Sequence, residues 1–195
     1  GDDAIKLLRD TPLRTRLGDF VAALRLEGDS ELELDFALPL DSALAEIQPF
    51  RLQGAVTLQD NRLWLAEVLS VDAIDGRLAF TERSLQAEVL RARVLDEPAS
   101  INIRTAGRGT DAYTVIAGRG QMQAAALRRL HDAPLLGRIS GRGAWQGSLR
   151  IPHGEQRSGA QLRLHSDLQG MALDLPHPLH KAAEDARALD VVHHF

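Results

Sequence analysis

The 195-residue chain contains no cysteine. That excludes disulfides, thiolate metal sites and a cysteine nucleophile, and says little about compartment. Aromatics are scarce, at 4% against 44% hydrophobic residues, so the apolar mass is mostly Leu, Ala, Val and Ile. A large charge surplus is missing as well. The net charge is −4 with both signs interspersed along the chain, which excludes a basic stripe for nucleic acid. No apolar run is long enough to span a bilayer, and no signal-peptide pattern is visible. Gly1 ahead of Asp2-Asp3, and an ending at Val191–Phe195 that stops in mid-pattern, lead to the expectation of an internal piece of a longer protein. The length suffices for one large domain or two small ones with a real core.

What is present divides by period. Ala4, Ile5, Leu7 and Leu8 between Asp2-Asp3 and Arg9 predict a first helix whose charges suit the helix dipole. Thr11-Pro12 then reads as N-cap and first position of a second, with Leu13, Leu17, Phe20 and Leu24 at helical spacing. After Gly28 the period becomes two. Leu32, Leu34, Phe36, Leu38 and Leu40 alternate with Glu31, Glu33, Asp35 and Ala37, which puts the apolar side chains on one face of a strand. The stretch 41–48 reads equally as a helical turn or a loop.

An internal repeat follows. "QGAVTLQDNRLWL" from Gln53 matches "DGRLAFTERSLQA" from Asp75, aligning Gly54 with Gly76, Val56 with Leu78 and Leu58 with Phe80. Each copy predicts a β-hairpin, with turns at Gln59–Arg62 and Thr81–Ser84. A lone hairpin cannot bury its own apolar face, so the copies are expected side by side in one sheet. Strands continue around Ala99–Ile103, Tyr113–Ala117, Ile139–Ile151 and Ala160–Leu175. A helix is predicted over Met122–His131, and a last one from Leu179 to Leu189, with Leu179, Ala182, Ala183, Ala186 and Leu189 three and four apart. The fold class is mostly β with a few short helices: an antiparallel, curved sheet or groove built from repeated hairpins and capped by helices. A soft division near Ala106–Thr110 separates residues 1–105, a helical start plus the hairpin-repeat sheet, from 106–195, its continuation with a middle and a C-terminal helix. One continuous domain is the other reading.

Motifs for chemistry are few. His177, His180, His193 and His194 lie near one another without acidic or cysteine ligands at a defined spacing, and read as solvated histidines; no metal site and no cofactor are expected. No G-x-S-x-G occurs, and His165-Ser166-Asp167 alternate along a strand, so they cannot form a triad among themselves. Gly-Arg-Gly at 107–109, 118–120 and 141–143 reads as turn and strand-edge glycines. A hydrolase assembled from distant residues is the residual class.

The apolar face itself remains. Ten alternating residues make a track of about 33 Å. One reading packs this face on itself as a sandwich core, giving a structural or protein-interaction β-domain without lipid. The other leaves it open to lipid tails. A methylene in water costs about 0.8 kcal/mol, so a tail of about 16 costs about 13 kcal/mol, which only a continuous apolar lining offsets. The positions expected to contact acyl chains are Leu32, Leu34, Phe36, Leu38, Val56, Leu58, Leu78 and Phe80.

Near the C-terminus, Ser166-Asp167-Leu168-Gln169-Gly170 followed by Leu175-Pro176-His177-Pro178-Leu179-His180-Lys181 resembles a signature of the YhdP family of AsmA-like bacterial envelope proteins, S-D-L-x-G then L-P-x-P-L-x-K. Thr11-Pro12-Leu13, the two glycine-led hairpins, Ile101–Thr105, Pro134-Leu135-Leu136 and Gly143-Ala144-Trp145 through Ile151-Pro152 fall in the family's order. Ser166, Asp167, Leu168, Gly170, Leu175, Pro176, Pro178, Leu179 and Lys181 are the signature positions. The resemblance implies a non-enzymatic segment of a long periplasmic protein anchored in the inner membrane by parts lacking here. It further implies a repeating β-groove that moves phospholipid towards the outer membrane and maintains the permeability barrier. Its expected partners are acyl chains and the remaining segments of the same protein, with no nucleic acid.

Overall fold

The computed structural model describes residues 24–37, 51–65, 69–81, 83–130, 133–153 and 159–194. The helices expected before residue 24, Leu38, Leu40 and the stretch 41–48 lie outside the described residues.

Strands β1 (Leu24–Ala37), β2 (Arg51–Leu65), β3 (Leu69–Thr81), β4 (Leu85–Val94), β5 (Glu97–Ala106), β6 (Tyr113–Gln123), β7 (Ile139–Pro152), β8 (Gln161–Ser166), β9 (Met171–Leu173) and β10 (Leu189–His194) form one open, curved sheet. Every pairing is antiparallel, and the order follows the chain from β1 to β8, with β10 beside β8 and β9 beside the start of β7. The one α-helix among the described residues, α1 (Ala124–Leu130), grows directly out of β6. Met122, assigned above to that helix, is still in the strand.

The repeat pairs with itself. Gly54 lies opposite Phe80, Val56 opposite Leu78 and Leu58 opposite Gly76; Gly54 receives the other copy's Phe80, whereas Gly76 makes room for Leu90 of β4. A Cβ on Gly54 would stand 2.6 Å from the Phe80 ring. The second copy turns at Thr81–Ser84 as expected, closed by Thr81 N–H to the Ser84 carbonyl at 2.9 Å and by the two hydroxyls at 2.8 Å. The first copy does not turn at Gln59–Arg62. Its polar run is a bulge inside the continuous strand β2: Asp60 has φ 51, and buried Asn61 accepts from Gln59 N–H at 2.8 Å while its amide donates to the Glu27 carbonyl at 3.3 Å. Asp-Asn is turn chemistry, and here the left-handed residue is accommodated within the ladder.

This bulge is one of a line. Register shifts occur at Gly28 in β1, near Asp60 in β2, near Ala73 in β3 and at Glu88-Val89 in β4, whereas β5–β6 and β6–β7 pair regularly. The bulges in β2, β3 and β4 each flip the parity of the apolar positions, whereas β1 has no extra residue at Gly28 and keeps its parity. In β2 Leu52, Val56 and Leu58 give way to Asn61 and Leu63; in β3 Val71 gives way to Ile74, Leu78 and Phe80; in β4 Leu85 and Ala87 give way to Leu90, Ala92 and Val94. The sequence shifts its pattern where the backbone slips, so the grease stays on one face. Bulges also bend the strands that carry them, and this end of the sheet holds the larger core cluster.

The Pro-rich C-terminal stretch is not a strand end followed by a helix. β8 and β9 run along β7 in nearly one register, interrupted by Asp167–Gly170. The residues after Leu173 form a hairpin tip over 174–180 and return alongside, bridging Leu173 to Lys181. Gly170 N–H then reaches the Ala183 carbonyl at 2.8 Å and Arg187 N–H the Asp167 carbonyl at 2.7 Å, before β10 takes up the ladder. In place of the expected helix from Leu179 to Leu189 there is an irregular returning segment, bridged to Leu173 at Lys181 and entering β10 at Leu189. Its alanines suit a helix, but an open sheet edge offers unpaired donors and acceptors, and tertiary pairing overrides propensity.

Candidate lipid-contact face

The cross-strand register assembles the apolar face row by row. Leu32, Val56 and Leu78 stand opposite one another on β1–β3; Leu34, Gly54 and Phe80 form the next row; Phe36 is opposite Leu52 and Ser30 opposite Leu58. Seven of the eight expected acyl-contact positions thus share one face, and the eighth, Leu38, lies outside the described residues. The face continues well past them, through Ile103, Ile116, Leu149 and Leu162 in one row and Ile101, Gly118, Gly147, Leu164 and Val191 in another. In β6 and β7 the face is hard to read from the sequence because glycine interrupts the apolar alternation.

Exposure varies across it. Phe80 (4%), Val56 (6%) and Leu58 (7%) are closed into the cluster with Leu52, Val71, Ile74 and Leu90, with Leu78 half-buried against it. Leu32 and Leu34 are 38% exposed, and at the opposite edge Leu189 and Val191 are 39% and 43% exposed. The strands between present half-buried aliphatics. The face is thus covered over the bulged strands and accessible at both edges.

The Gly-Arg-Gly elements have three different roles. Gly107 and Gly109 lie at the β5–β6 turn with φ 79 and 59, as expected of turn glycines. Gly118 and Gly120 are instead mid-strand on the apolar face, forming a floor for Trp145: Cβ atoms there would lie 3.2 Å from the indole. Trp145 crosses these glycines to pack against both core clusters, and its indole N–H donates to the Gln121 carbonyl at 3.2 Å. Gly143 likewise leaves room for Met171.

The opposite face is polar. Glu33 pairs with Arg77 at 2.5 Å, and the hydrogen bond and charge of that guanidinium hold its carboxyl below the usual range. His165 contacts Asp190 at 2.7 Å, so its partner is an acid on β10 and not the adjacent serine.

The signature residues build the fold-back. The Ser166 hydroxyl donates to the Ala144 carbonyl (2.7 Å) and accepts from Leu168 N–H (3.0 Å), while the Asp167 carboxylate accepts from Gln169 N–H (3.0 Å). A serine whose proton is engaged by a backbone carbonyl is a turn-former here, not an activated nucleophile. Leu168 and Gly170 have φ 53 and 85, and a Cβ on Gly170 would stand 2.2 Å from the Arg142 carbonyl oxygen. Leu175, Pro176, Pro178 and Leu179 make the hairpin tip, where Leu179 N–H bonds the Pro176 carbonyl at 2.9 Å. Lys181, 2% exposed, sends its ammonium to the Met171 and Ala182 carbonyls at 2.7 and 2.9 Å, fastening the returning segment to β9.

Among the described residues no three His, Asp or Glu side chains gather as metal ligands, and no helix is long and apolar enough to cross a membrane. Fold and surface together define an open antiparallel β-sheet protein whose distinguishing feature is a broad aliphatic face. The sequence profile described as the YhdP protein matches residues 1–194, and the chain belongs to the YhdP family. A relative in Escherichia coli (strain K12), the intermembrane phospholipid transporter YhdP, is 31% identical over 188 residues. That match covers 93% of this chain and 14% of the relative, so the chain spans about one-seventh of that protein's length. No solved structure matches.

Proposed function

We propose that this chain is a non-enzymatic segment of a periplasmic, inner-membrane-anchored envelope protein. Its aliphatic sheet face carries phospholipid acyl chains in transport between inner and outer membranes, and so sustains the outer-membrane barrier. The observation that carries the reading is the continuity of that face from β1 to β10, with accessible aliphatics at both edges. Nine neighbouring strands at about 4.8 Å span about 38 Å, long enough to keep a tail out of water along its length. The family membership and the phospholipid transporter among its relatives support the same class of cargo. The other segments of the long protein are its partners, since one-seventh of the relative's length extends a groove without bridging two membranes.

A second reading has one observation in its favour: Val56, Leu58 and Phe80 are almost wholly buried, as in a packed structural domain. Native mass spectrometry of the chain mixed with phospholipid separates the two. The transport reading expects the folded chain to retain phospholipid; a folded chain that never carries any supports the packed structural domain.

A further inference from the structure

The strands divide by charge. β1–β3 carry eight acidic and four basic residues, net −4, whereas β4–β8 carry two acidic and seven basic, net +5. Parity places the run Glu27, Asp29, Glu31, Glu33 and Asp35 of β1 on the polar face, opposite the aliphatic one. All five are exposed, and among the described residues only Glu33 has an arginine in ion-pair contact. β1 is also an edge strand, with β2 as its single neighbour.

The other half of the same face is basic. Arg91, Arg104, Arg119, Arg150 and Arg163 stand exposed on it, one on each strand from β4 to β8. None has a carboxylate in ion-pair contact among the described residues. A hollow of about 840 Å³ crosses this half from β4 to β10, with Ser100, Arg119, Gln146, Ser148 and Arg163 in its lining. Its two acids, Glu88 and Asp190, lie at its β4 and β10 ends, and Asp190 is engaged by His165.

A face that is acidic at one end and basic at the other is complementary to itself once turned round. A two-fold axis running along the strands between β3 and β4 lays two such faces together with β1 of each copy over β6 of the other, so one contact is made twice. The acidic edge strand then meets the basic hollow. Six overlapping strands, each about ten residues long, cover about 29 Å by about 33 Å, which is roughly 950 Å² per copy. A standard interface needs about 800 Å² per partner. The like-charged alternative, β1 over β1, is repelled, so charge selects the orientation. We propose that the polar face is the docking surface for a second copy of this chain, with the acidic β1 of each copy seated across the arginine-bearing strands of the other. Both aliphatic faces look away from the contact, so the pairing does not rest on the transport reading.

Sedimentation equilibrium of the 195-residue chain tests it. A dimer is expected at an ionic strength of about 0.01 M, where the Debye length is about 30 Å, and at least about tenfold weaker association at about 1 M, where it is about 3 Å. Two charge-reversed variants then separate the halves of the contact. Glu31→Arg with Asp35→Arg makes β1 basic, and Arg119→Glu with Arg163→Glu makes the centre acidic. Each variant alone is expected to be monomeric, because both of its contacts become repulsive. An equimolar mixture is expected to dimerise again, because each contact then joins opposite charges. Circular dichroism shows that the variants are folded, and the salt comparison needs no variant. A parent chain that stays monomeric at low salt, or a dimer indifferent to salt, overturns the proposal. So does a dimer that persists in both variants, which is held by the aliphatic face or the β10 edge, and so does a mixture of folded variants that stays monomeric.

Discussion

Replacing Gly118 with valine is expected to destabilise the protein, although valine is the better strand residue. In an open strand position, glycine costs backbone entropy and valine packs well on a pleated face, so the exchange stabilises. Here the added Cβ would meet the Trp145 ring at 3.2 and 3.4 Å, with Ile101 next at 3.8 Å, and the valine methyls have nowhere to go but into the indole. Overpacking of this kind costs about 1–3 kcal/mol. Trp145→Ala removes a half-buried ring and costs roughly 2–4 kcal/mol, somewhat under the range for a fully buried one. In the double variant the valine fills space the indole has left, so its cost is expected to fall short of the sum by at least about 1 kcal/mol. Urea unfolding followed by circular dichroism measures all four proteins without relying on tryptophan emission. Additive effects, or a Gly118→Val variant more stable than the parent, would refute the glycine floor.

Other outcomes follow from the same contacts. Lys181→Met leaves the Met171 and Ala182 carbonyls without their donor, at about 1–3 kcal/mol each, partly offset by relief of ammonium burial; hydrogen exchange should speed first at Gly170, Leu173 and Arg187. Leu58→Ala is expected to cost about 2–5 kcal/mol as a core truncation, and Leu34→Ala distinctly less because Leu34 is 38% exposed; equal costs in urea would contradict the graded burial. Arg77→Gln should return the Glu33 carboxyl upward to its ordinary range in a carbon-detected NMR titration. Because that carboxyl's folded pKa is depressed, the pair's small contribution is present above the unfolded carboxylate pKa and fades as pH falls through the folded one.

The alternation in β1 and in the second repeat copy was readable because each side chain's face follows from parity alone. Three features were not. The Gln59–Arg62 run has the composition of a turn, and only the neighbouring strands, through the Glu27 carbonyl and the Asp75 carboxylate that accepts from Asp60 N–H, make it a bulge. The stretch Leu179–Leu189 has helical spacing, and what overrides it is the β8–β9 edge together with a buried lysine whose acceptors are ten residues away and next door in the chain. Gly118 and Gly120 look like punctuation until the ring that rests on them is known. In each case a long-range pairing decided what local composition left open.

The central claim is that the aliphatic face meets acyl chains, and photo-crosslinking tests it most directly. A photoreactive residue at Leu34, accessible on that face, and at Glu33, one residue away on the other, is placed in the full-length protein and irradiated in cells. Leu34 is expected to capture phospholipid and Glu33 not to. Capture at Glu33 with none at Leu34 would contradict the account.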